Sequence, residues 1–354
     1  MTRFGKYSNL ICLLFAIAVV EFIGLAGLLI SGAAGGGDPE EEVLAAPAEE
    51  APPPGSGEED PAGAERTETP EQEEPPKEKA KPAGERTAPE ILAGAQLITH
   101  GMGAVDGVTV LNCLEGFQAQ YDKGVRVFEV DLRLTRDHQV VLRHDWRAGW
   151  QSGISETSIP ELKEFLARPI LKQYTPLSFR DLLLLMEEHP DICIVTDTKF
   201  LDPEIITLEF EAMVQDAADL GLSYLFDRMV IQIYNPLMFR IVDTIHHFPC
   251  YIYTLYSEGF AQTEDAFREK AAFCQENGIL GVTMWSYWWR EAYAPIAQEY
   301  GVAVYTHTVN DPEAALRQLE SGVSAVYTDI LTPEDLEGPA DGPENQPESL
   351  EEGA

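Results

Sequence analysis

The stretch VRVFEVDLRLTRDHQVVLRHD, residues 125–145, decides the fold. It begins with a largely apolar strand candidate, Val125–Leu132, in which Glu129 and Asp131 stand two positions apart and so project from one face. A second short strand follows, and the pair His144-Asp145 comes directly after it. Strands that end in histidines and carboxylates are typical of α/β enzymes, whose active sites lie at the strand ends.

Outward from this stretch, strands and helices alternate along residues 90–335 and predict one α/β domain. The strand candidates are Gln96–Thr99, Val125–Leu132, Val140–Arg143, Ile192–Thr196, Met229–Ile233, Tyr251–Leu255, Leu280–Thr283, Val302–Tyr305 and Ala325–Tyr327. The helical candidates are Leu111–Asp122, Pro160–Phe165, Ser178–Glu188, Pro203–Leu220, Thr263–Asn277, Arg290–Tyr300 and Pro312–Ser321. Nine strands fit a (β/α)8 TIM barrel with one extra strand, and a doubly wound open sheet is the alternative.

The first 89 residues predict a targeting segment and a spacer. Residues 1–33 contain a mostly apolar run, Leu10–Ile30, behind Arg3 and Lys6, which is long enough to span a bilayer. We expect a single-pass anchor that leaves the domain outside the cytoplasm, or a secreted protein if this segment is a cleaved signal. Residues 34–89 hold 11 prolines and many acids and predict a disordered linker, and residues 336–354 predict a disordered acidic tail.

Composition excludes several classes of function. The formal charge of −36 argues against a nucleic-acid binder, which needs clustered Lys and Arg. No CxxC spacing indicates a zinc or thioredoxin-type site, no GxSxG motif indicates a serine hydrolase, and no Gly-rich phosphate loop of a nucleotide-binding fold follows the first strand. The oligomeric state is not indicated by any pattern in the sequence.

Chemically versatile side chains fall at the ends of the predicted strands. They are His100, Glu129, Asp131, His144, Asp197, Lys199, His307 and Asp329. If the strands form a barrel, these groups converge on one mouth. Each has an ordinary explanation, such as a solvated strand face or a local turn, but their occurrence in order favours a metal-dependent hydrolytic site.

The residue types suggest a reaction. Glu129, Asp131 and Asp197 offer hard oxygen ligands for Mg²⁺ or Ca²⁺. His100 and His144 can act as base and acid near neutral pH, and Lys199 can neutralise a phosphoryl oxygen. The implied chemistry is displacement at a phosphodiester, in which one histidine deprotonates the nucleophile and the other protonates the leaving alkoxide.

At these residues the sequence resembles the glycerophosphodiester phosphodiesterase family, within the phosphatidylinositol-specific phospholipase C-like superfamily. The matching elements are His100-Gly101-Met102, Leu111-Asn112-Cys113, Glu129 to Asp137, His144-Asp145, Asp197-Thr198-Lys199, His307 to Asn310, and Thr328-Asp329. The resemblance implies a barrel, a divalent metal on Glu129, Asp131 and Asp197, and His100 and His144 as the acid–base pair. It also implies that Asn112 contacts the substrate.

Four positions depart from the family pattern. Gly101 replaces an arginine, Leu111 replaces a glutamate, Asp197 replaces a glutamate, and His307 replaces a tryptophan. Arg143 or Lys199 is a candidate to replace the charge of the missing arginine at the substrate.

Three functions stay open at this point. The first is hydrolysis of glycerophosphodiesters or related lipid headgroups, and the second is a phospholipase C-like or wall-polymer phosphodiesterase with another leaving group. The third is a non-catalytic binding module on a degenerate barrel. An aromatic cluster, Trp285, Tyr287, Trp288 and Trp289, is a candidate to line a substrate-binding mouth or else to pack between helices.

Overall fold

The computed structural model describes residues 77–147, 149–257 and 259–337. The predicted anchor, most of the predicted linker and the tail from residue 338 onward lie outside these ranges. None of the helices in the three ranges combines the length and the apolar character that a bilayer crossing requires.

Nine strands form a single sheet. They are β1 (Leu97–Thr99), β2 (Val127–Leu134), β3 (Val140–Leu142), β4 (Cys193–Thr198), β5 (Met229–Ile233), β6 (Tyr251–Thr254), β7 (Gly281–Trp285), β8 (Ala303–His307) and β9 (Ala325–Thr328). Eight of them are parallel and close into a barrel, because β1 pairs with both β9 and β2. This confirms the predicted barrel and eliminates the open sheet.

The extra strand is β3. It pairs only with β2, antiparallel, so that Leu132 faces Leu142 and Leu134 faces Val140. The sequence analysis expected one strand beyond the eight of the barrel without giving its direction, and β3 is that strand. Because β3 runs back along β2, it returns the chain to the level of Asp131, whose carbonyl accepts a hydrogen bond from the Arg143 N–H at 2.8 Å.

Ten α-helices accompany the strands in the described residues. They are α1 (Ala88–Leu92), α2 (Leu114–Tyr121), α3 (Leu162–Leu166), α4 (Phe179–Glu188), α5 (Pro203–Leu220), α6 (Pro236–Ile245), α7 (Glu264–Glu276), α8 (Ala294–Tyr300), α9 (Pro312–Glu320) and α10 (Pro333–Leu336). Local chemistry sets several boundaries. Ser178 and Asp181 form a capping box on α4, and Asp202 caps α5 at its first turn.

Two apolar layers stabilise the barrel. Inside it, side chains from alternate strand positions pack together, among them Ile98, Val127, Val195, Ile252 and Tyr327. A larger layer lies between the strands and the outer helices. The sequence analysis did not predict α1, whose Ala88, Ile91 and Leu92 pack into the inner layer and close the barrel at the N-terminal ends of its strands.

Residues 77–87 also pack against the N-terminal end of the barrel. Glu85 forms a buried ion pair with Arg228, with Oε1 and Nε 2.6 Å apart and side-chain exposures of 3% and 1%. The Lys79 N–H donates to the Gly221 carbonyl at 2.8 Å. Although these residues fall within the predicted linker, their contacts extend the packed part of the chain back to residue 77.

Candidate active site

The C-terminal ends of the eight parallel strands, with the loops that follow them, form what we call the mouth. Register brings its acidic residues together: Asp131 on β2 lies beside Asp197 on β4, and Glu129 lies two positions before Asp131 on the same face. All three side chains are almost completely buried. They face the mouth because this face of β2 alternates with the apolar face that packs outward.

His100 follows β1 and lies next to Asp329, because Thr99 and Thr328 are paired in the sheet. The His100 Nδ1 is 2.7 Å from the Asp329 Oδ1, and the Asn310 amide donates to the other Asp329 oxygen at 2.6 Å. Asn310 thus holds Asp329, and Asp329 holds the imidazole.

The surroundings of His100 favour the cationic form of its imidazole. Burial alone would lower the pKa of His100, but the hydrogen bond to Asp329 and the charges of Glu129 and Asp131 raise it to about 9. The sequence analysis placed Asp329 at a strand end without giving it a role. The sequence shows Thr328-Asp329 at a strand end, but only the pairing of β1 with β9 in the structure brings Asp329 to His100.

His144 reaches the mouth from β3 and forms a second histidine–aspartate pair. Its Nδ1 lies 3.0 Å from the Asp145 Oδ2, and the Arg133 Nε donates to the His144 carbonyl at 3.1 Å. The His144 charge is among those that lower the pKa of Asp131 against the effect of burial. Both imidazoles therefore have Nδ1 occupied by an aspartate, which leaves each Nε2 for proton transfer.

Lys199 lies between the two aspartates of the mouth. Its Nζ is 2.6 Å from the Asp131 Oδ1 and also donates to the Asp197 Oδ2. Burial would lower its pKa, but the neighbouring carboxylates raise it well above the ordinary value. The ammonium is therefore a fixed positive charge at the centre of an acidic site.

The residues present fit a divalent cation. One ligand atom each from His100, Glu129 and Asp131 lies within 4.8 Å of the others. The Glu129 Oε1 is buried and has no hydrogen-bond partner. Burial and then the charge of Asp131 raise the pKa of Glu129 to about 8, and a bound cation would favour the ionised carboxylate instead.

Asp197 differs from this cluster. The Tyr234 hydroxyl donates to its Oδ1, and Lys199 holds its Oδ2. It lines the same cavity as Glu129 but is not among the three residues whose ligand atoms come together. Its assignment as the third metal ligand stays a prediction.

Two residues predicted to contact the substrate bind other groups of the protein instead. Asn112 is fully buried, and its amide donates to the Asp131 Oδ2 at 2.6 Å while its carbonyl oxygen accepts the Asp131 N–H at 2.9 Å. Arg143 is 1% exposed, and its guanidinium donates to the carbonyls of Asp145 and Arg147 and to the Gln151 side chain. Asn112 positions an aspartate, and Arg143 holds the loop after β3 and is unavailable to a substrate.

The turn after β1 explains the missing arginine. Gly101 has φ +53°, and a Cβ there would come within 2.7 Å of the Val110 Cα. Its N–H donates to the Glu129 Oε2 at 2.6 Å. A side chain at this position would displace the loop that holds Glu129, so glycine is required here.

The aromatic cluster divides into two parts. The Trp285 ring lies 4.3 Å from the His307 ring and 5.2 Å from the Tyr256 ring, measured between centroids, and so walls the mouth. Trp288 and Trp289 instead pack partly buried against the outer apolar layer, as the helix-packing alternative expects. Below Trp285 lies a cavity of about 30 Å³ lined by His100, Glu129, Asp197, Gln232, Tyr256, Thr283, His307 and Tyr327.

Fold and site together define a (β/α)8 barrel whose histidines, carboxylates and lysine gather at the mouth, the end of the barrel where enzymes of this fold carry their active sites. A family model described as the glycerophosphoryl diester phosphodiesterase family matches residues 107–332. This range covers more than half of the chain, and the chain belongs to that family. It is accordingly a phosphoric diester hydrolase by class, which confirms the resemblance; His100 lies just before the matched range.

Solved structures agree in fold. A glycerophosphodiester phosphodiesterase from Parabacteroides distasonis aligns at 17% identity with a TM-score of 0.54, over 68% of this chain and 94% of its own. An Oleispira antarctica phosphodiesterase in complex with the product sn-glycerol-3-phosphate aligns at 15% identity with a TM-score of 0.53, over 66% of this chain and 93% of its own. A glycerophosphodiester phosphodiesterase from Agrobacterium tumefaciens aligns at 12% identity with a TM-score of 0.52, over 67% of this chain and 96% of its own. A comparison with curated proteins found no match.

Proposed function

We propose that the protein hydrolyses glycerophosphodiesters at the mouth, with His100 and His144 as the acid–base pair and a divalent ion on Glu129 and Asp131. The observation that supports this most directly is the pair of histidine–aspartate contacts, at 2.7 Å and 3.0 Å, on either side of a buried carboxylate cluster. Family membership supplies the reaction class.

In this proposal Glu129, Asp131 and Asp197 would hold a Mg²⁺ or Ca²⁺ ion, and its charge would stabilise negative charge on the phosphoryl group. Lys199 has three ammonium donors, two of which bind Asp131 and Asp197. The third donor faces the phosphoryl oxygen. Trp285 lines the wall against which the alcohol of the substrate packs.

The histidines carry the protons. Water attacks phosphorus, the new P–O bond forms as the P–O bond to the alcohol breaks, and one imidazole Nε2 takes the proton of the water. The other imidazole gives a proton to the leaving alkoxide. Asp329 and Asp145 keep each imidazole in the tautomer that exposes Nε2 and stabilise its protonated form.

The test is hydrolysis by the full chain of glycerophosphocholine, glycerophosphoglycerol and bis-p-nitrophenyl phosphate, each with Mg²⁺, Ca²⁺ or chelator. We expect chelation to abolish turnover and either Mg²⁺ or Ca²⁺ to restore it. His144→Ala and Glu129→Ala should each lower kcat/KM by at least about 100-fold. His247→Ala is the matched control, because His247 forms a 2.6 Å pair with Asp243 at an exposed position.

Activity that survives chelation would refute the role of the metal. Equal activity in His144→Ala and His247→Ala would refute the role of His144. Absence of turnover in a folded, metal-saturated sample would favour the binding-module alternative.

A lipid-borne phosphodiester is a second candidate substrate, and one observation favours it. Leu201, Leu237, Tyr287 and Ile330 are 55%, 48%, 75% and 48% exposed, and each follows a different barrel strand at the mouth. In the described ranges, the loops at the opposite end of the barrel carry no comparably exposed large apolar residue. Exposed apolar groups around a phosphodiester site suit a headgroup that remains attached to its acyl chain.

This alternative predicts a difference between substrates. Tyr287→Ser with Ile330→Ser should lower the turnover of micellar lysophosphatidylcholine several-fold and leave that of soluble glycerophosphocholine unchanged. Equal effects on both substrates would eliminate the lipid-facing role.

The location outside the cytoplasm is also part of the proposal, and it depends on the apolar run Leu10–Ile30. Protease treatment of intact cells should digest the domain if it is anchored and exposed. Recovery of the protein from the medium would indicate cleavage, and protection in intact cells would refute an exterior domain.

A further inference from the structure

The inner end of the mouth contains buried polar atoms without partners. The Thr283 Oγ1, the His307 Nε2 and the Glu129 Oε1 have no hydrogen-bond partner, and all three side chains line the cavity of about 30 Å³. A buried polar group without a partner is costly, so a cavity that collects three of them is built to receive a polar group.

Strand register fixes two of these atoms. Thr283 on β7 is 1% exposed and lies between Thr254 on β6 and Tyr305 on β8. His307 ends β8, and its ring lies between those of Trp285 and Tyr256, at centroid distances of 4.3 and 5.0 Å. Neither side chain can turn away without leaving the packed wall of the barrel.

The electrostatics favour a neutral ligand group over an anion. Glu129 and Asp197 border the cavity, and the two nearby cations, His100 and Lys199, are already paired with carboxylates. Burial, and then the charges of His100 and Lys199, lower the pKa of His307 to about 3, so the imidazole is neutral. A neutral imidazole and a threonine hydroxyl can each donate or accept a hydrogen bond, which suits a hydroxyl group.

The volume sets the size of the ligand group. A cavity of about 30 Å³ is large enough to hold a water molecule, and it therefore admits a hydroxyl group. Elsewhere in the lining, the Tyr327 hydroxyl already donates to the Gln232 Oε1 at 3.0 Å, and the unpartnered Glu129 Oε1 belongs to the proposed ion site. The unpartnered atoms are therefore specific to Thr283 and His307 on this side of the cavity.

We propose that Thr283 and His307 form a hydroxyl subsite that binds a free hydroxyl of the substrate alcohol and selects polyol phosphodiesters over simple alkyl ones. The subsite rests on the proposed function, because it requires the phosphodiester to react at the mouth beside it. Binding energy from this hydroxyl positions the phosphorus for reaction with His100 and His144.

The experiment compares substrates that differ by one hydroxyl. Glycerophosphocholine is measured beside 3-hydroxypropyl phosphocholine and 2-hydroxypropyl phosphocholine, each of which lacks one of the two glycerol hydroxyls. We expect wild type to lose about 10-fold to 100-fold in kcat/KM on one of the two analogues.

The variants Thr283→Val and His307→Phe keep the shape of the wall and remove the polar atom. Each should lower kcat/KM for glycerophosphocholine by a similar factor and change that for the discriminated analogue by less than about twofold. Thr254→Val is the matched control, because the Thr254 hydroxyl is also buried and without a partner but does not line the cavity. It should behave as wild type on all three substrates.

An equal loss on every substrate would mean that these residues only support the fold. No loss on any substrate would mean that the cavity holds a structural water. Turnover of bis-p-nitrophenyl phosphate, which has no hydroxyl, reports the proposed function separately. If wild type hydrolyses nothing, calorimetric binding of sn-glycerol 3-phosphate decides: weaker binding to Thr283→Val than to Thr254→Val supports the subsite, and equal binding overturns it.

Discussion

The ion pair between Glu85 and Arg228 predicts that residues before the barrel stabilise it. Their charged atoms are 2.6 Å apart and both side chains are almost completely buried. Removal of one partner from a buried pair leaves the other charge without compensation, at a cost of about 3–5 kcal/mol. Because the Arg228 guanidinium also binds the carbonyls of Met186, His189 and Ile192, we expect Glu85→Ala to fall at the lower end, about 3 kcal/mol.

The measurement is thermal unfolding of the full chain at one scan rate. For a domain of this size about 1 kcal/mol corresponds to roughly 2–4 °C, so Tm should fall by about 6–12 °C. Lys81→Ala is the matched control, because Lys81 pairs with Asp227 at 2.6 Å but with side-chain exposures of 29% and 40%. An exposed pair contributes about 0–1 kcal/mol, and Tm should change by less than about 4 °C.

Glu85→Gln keeps the shape and should give an intermediate value. If Glu85→Ala unfolds at the same temperature as Lys81→Ala, the segment 77–87 does not contribute to stability. The reasoning from burial would then be refuted, and the original boundary at residue 89 would describe the stable domain better.

Three further predictions concern the site and its surroundings. Asp329→Asn removes the charge that holds His100 and should lower kcat by about 100-fold with little change in KM, as steady-state kinetics would show. Asn112→Ala removes two hydrogen bonds from Asp131 and should weaken Mg²⁺ or Ca²⁺ binding by about 10-fold to 100-fold in a calorimetric titration. Glu209 is fully buried, and burial raises its pKa from 4.5 to about 7 against the opposing effects of Thr198 and Arg133. Between these two values the native state keeps a proton that the unfolded chain releases, so the free energy of unfolding falls as pH rises, by about 3 kcal/mol in all. Urea titrations of wild type and Glu209→Gln across pH 4–8 should show this dependence reduced in the variant.

The first two of these predictions each have a control that resembles the variant chemically. Asp243→Asn alters the exposed pair with His247 and should leave kcat unchanged. Gln118→Ala removes a 2.8 Å amide–carboxylate bond at an exposed position and should leave metal affinity unchanged. Parallel pH profiles for wild type and Glu209→Gln would show that Glu209 is ionised in both states, contrary to its burial.

The barrel could be predicted from the sequence because its strands are short apolar runs that helical and loop segments separate clearly. It missed α6, although Asn235 and Pro236 offer an N-cap and a first-turn proline. The apolar residues of this helix merge with those of the flanking strands in the sequence pattern. The direction of β3 was also missed, because a short strand carries no mark of whether its partner is parallel or antiparallel.

The candidate site was predicted by residue type more accurately than by role. His100, Glu129, Asp131 and His144 come together at the mouth as their strand-end positions suggest. Asn112 and Arg143 have the right chemistry for a substrate contact but are buried against other partners. Burial of a polar side chain depends on residues distant in sequence, and no local pattern reports it.

The place where the chain enters the barrel has a geometric consequence. Residue 77 joins the domain beside Gly221, and Glu337 lies with Gln96 and Val125, which precede β1 and β2. Residues 77 and 337 thus both lie at the end of the barrel that α1 closes, and neither lies at the mouth. A bulky group joined directly at residue 77 or residue 337 would leave the approach to the histidines open, so the domain can be immobilised at the end opposite its candidate active site.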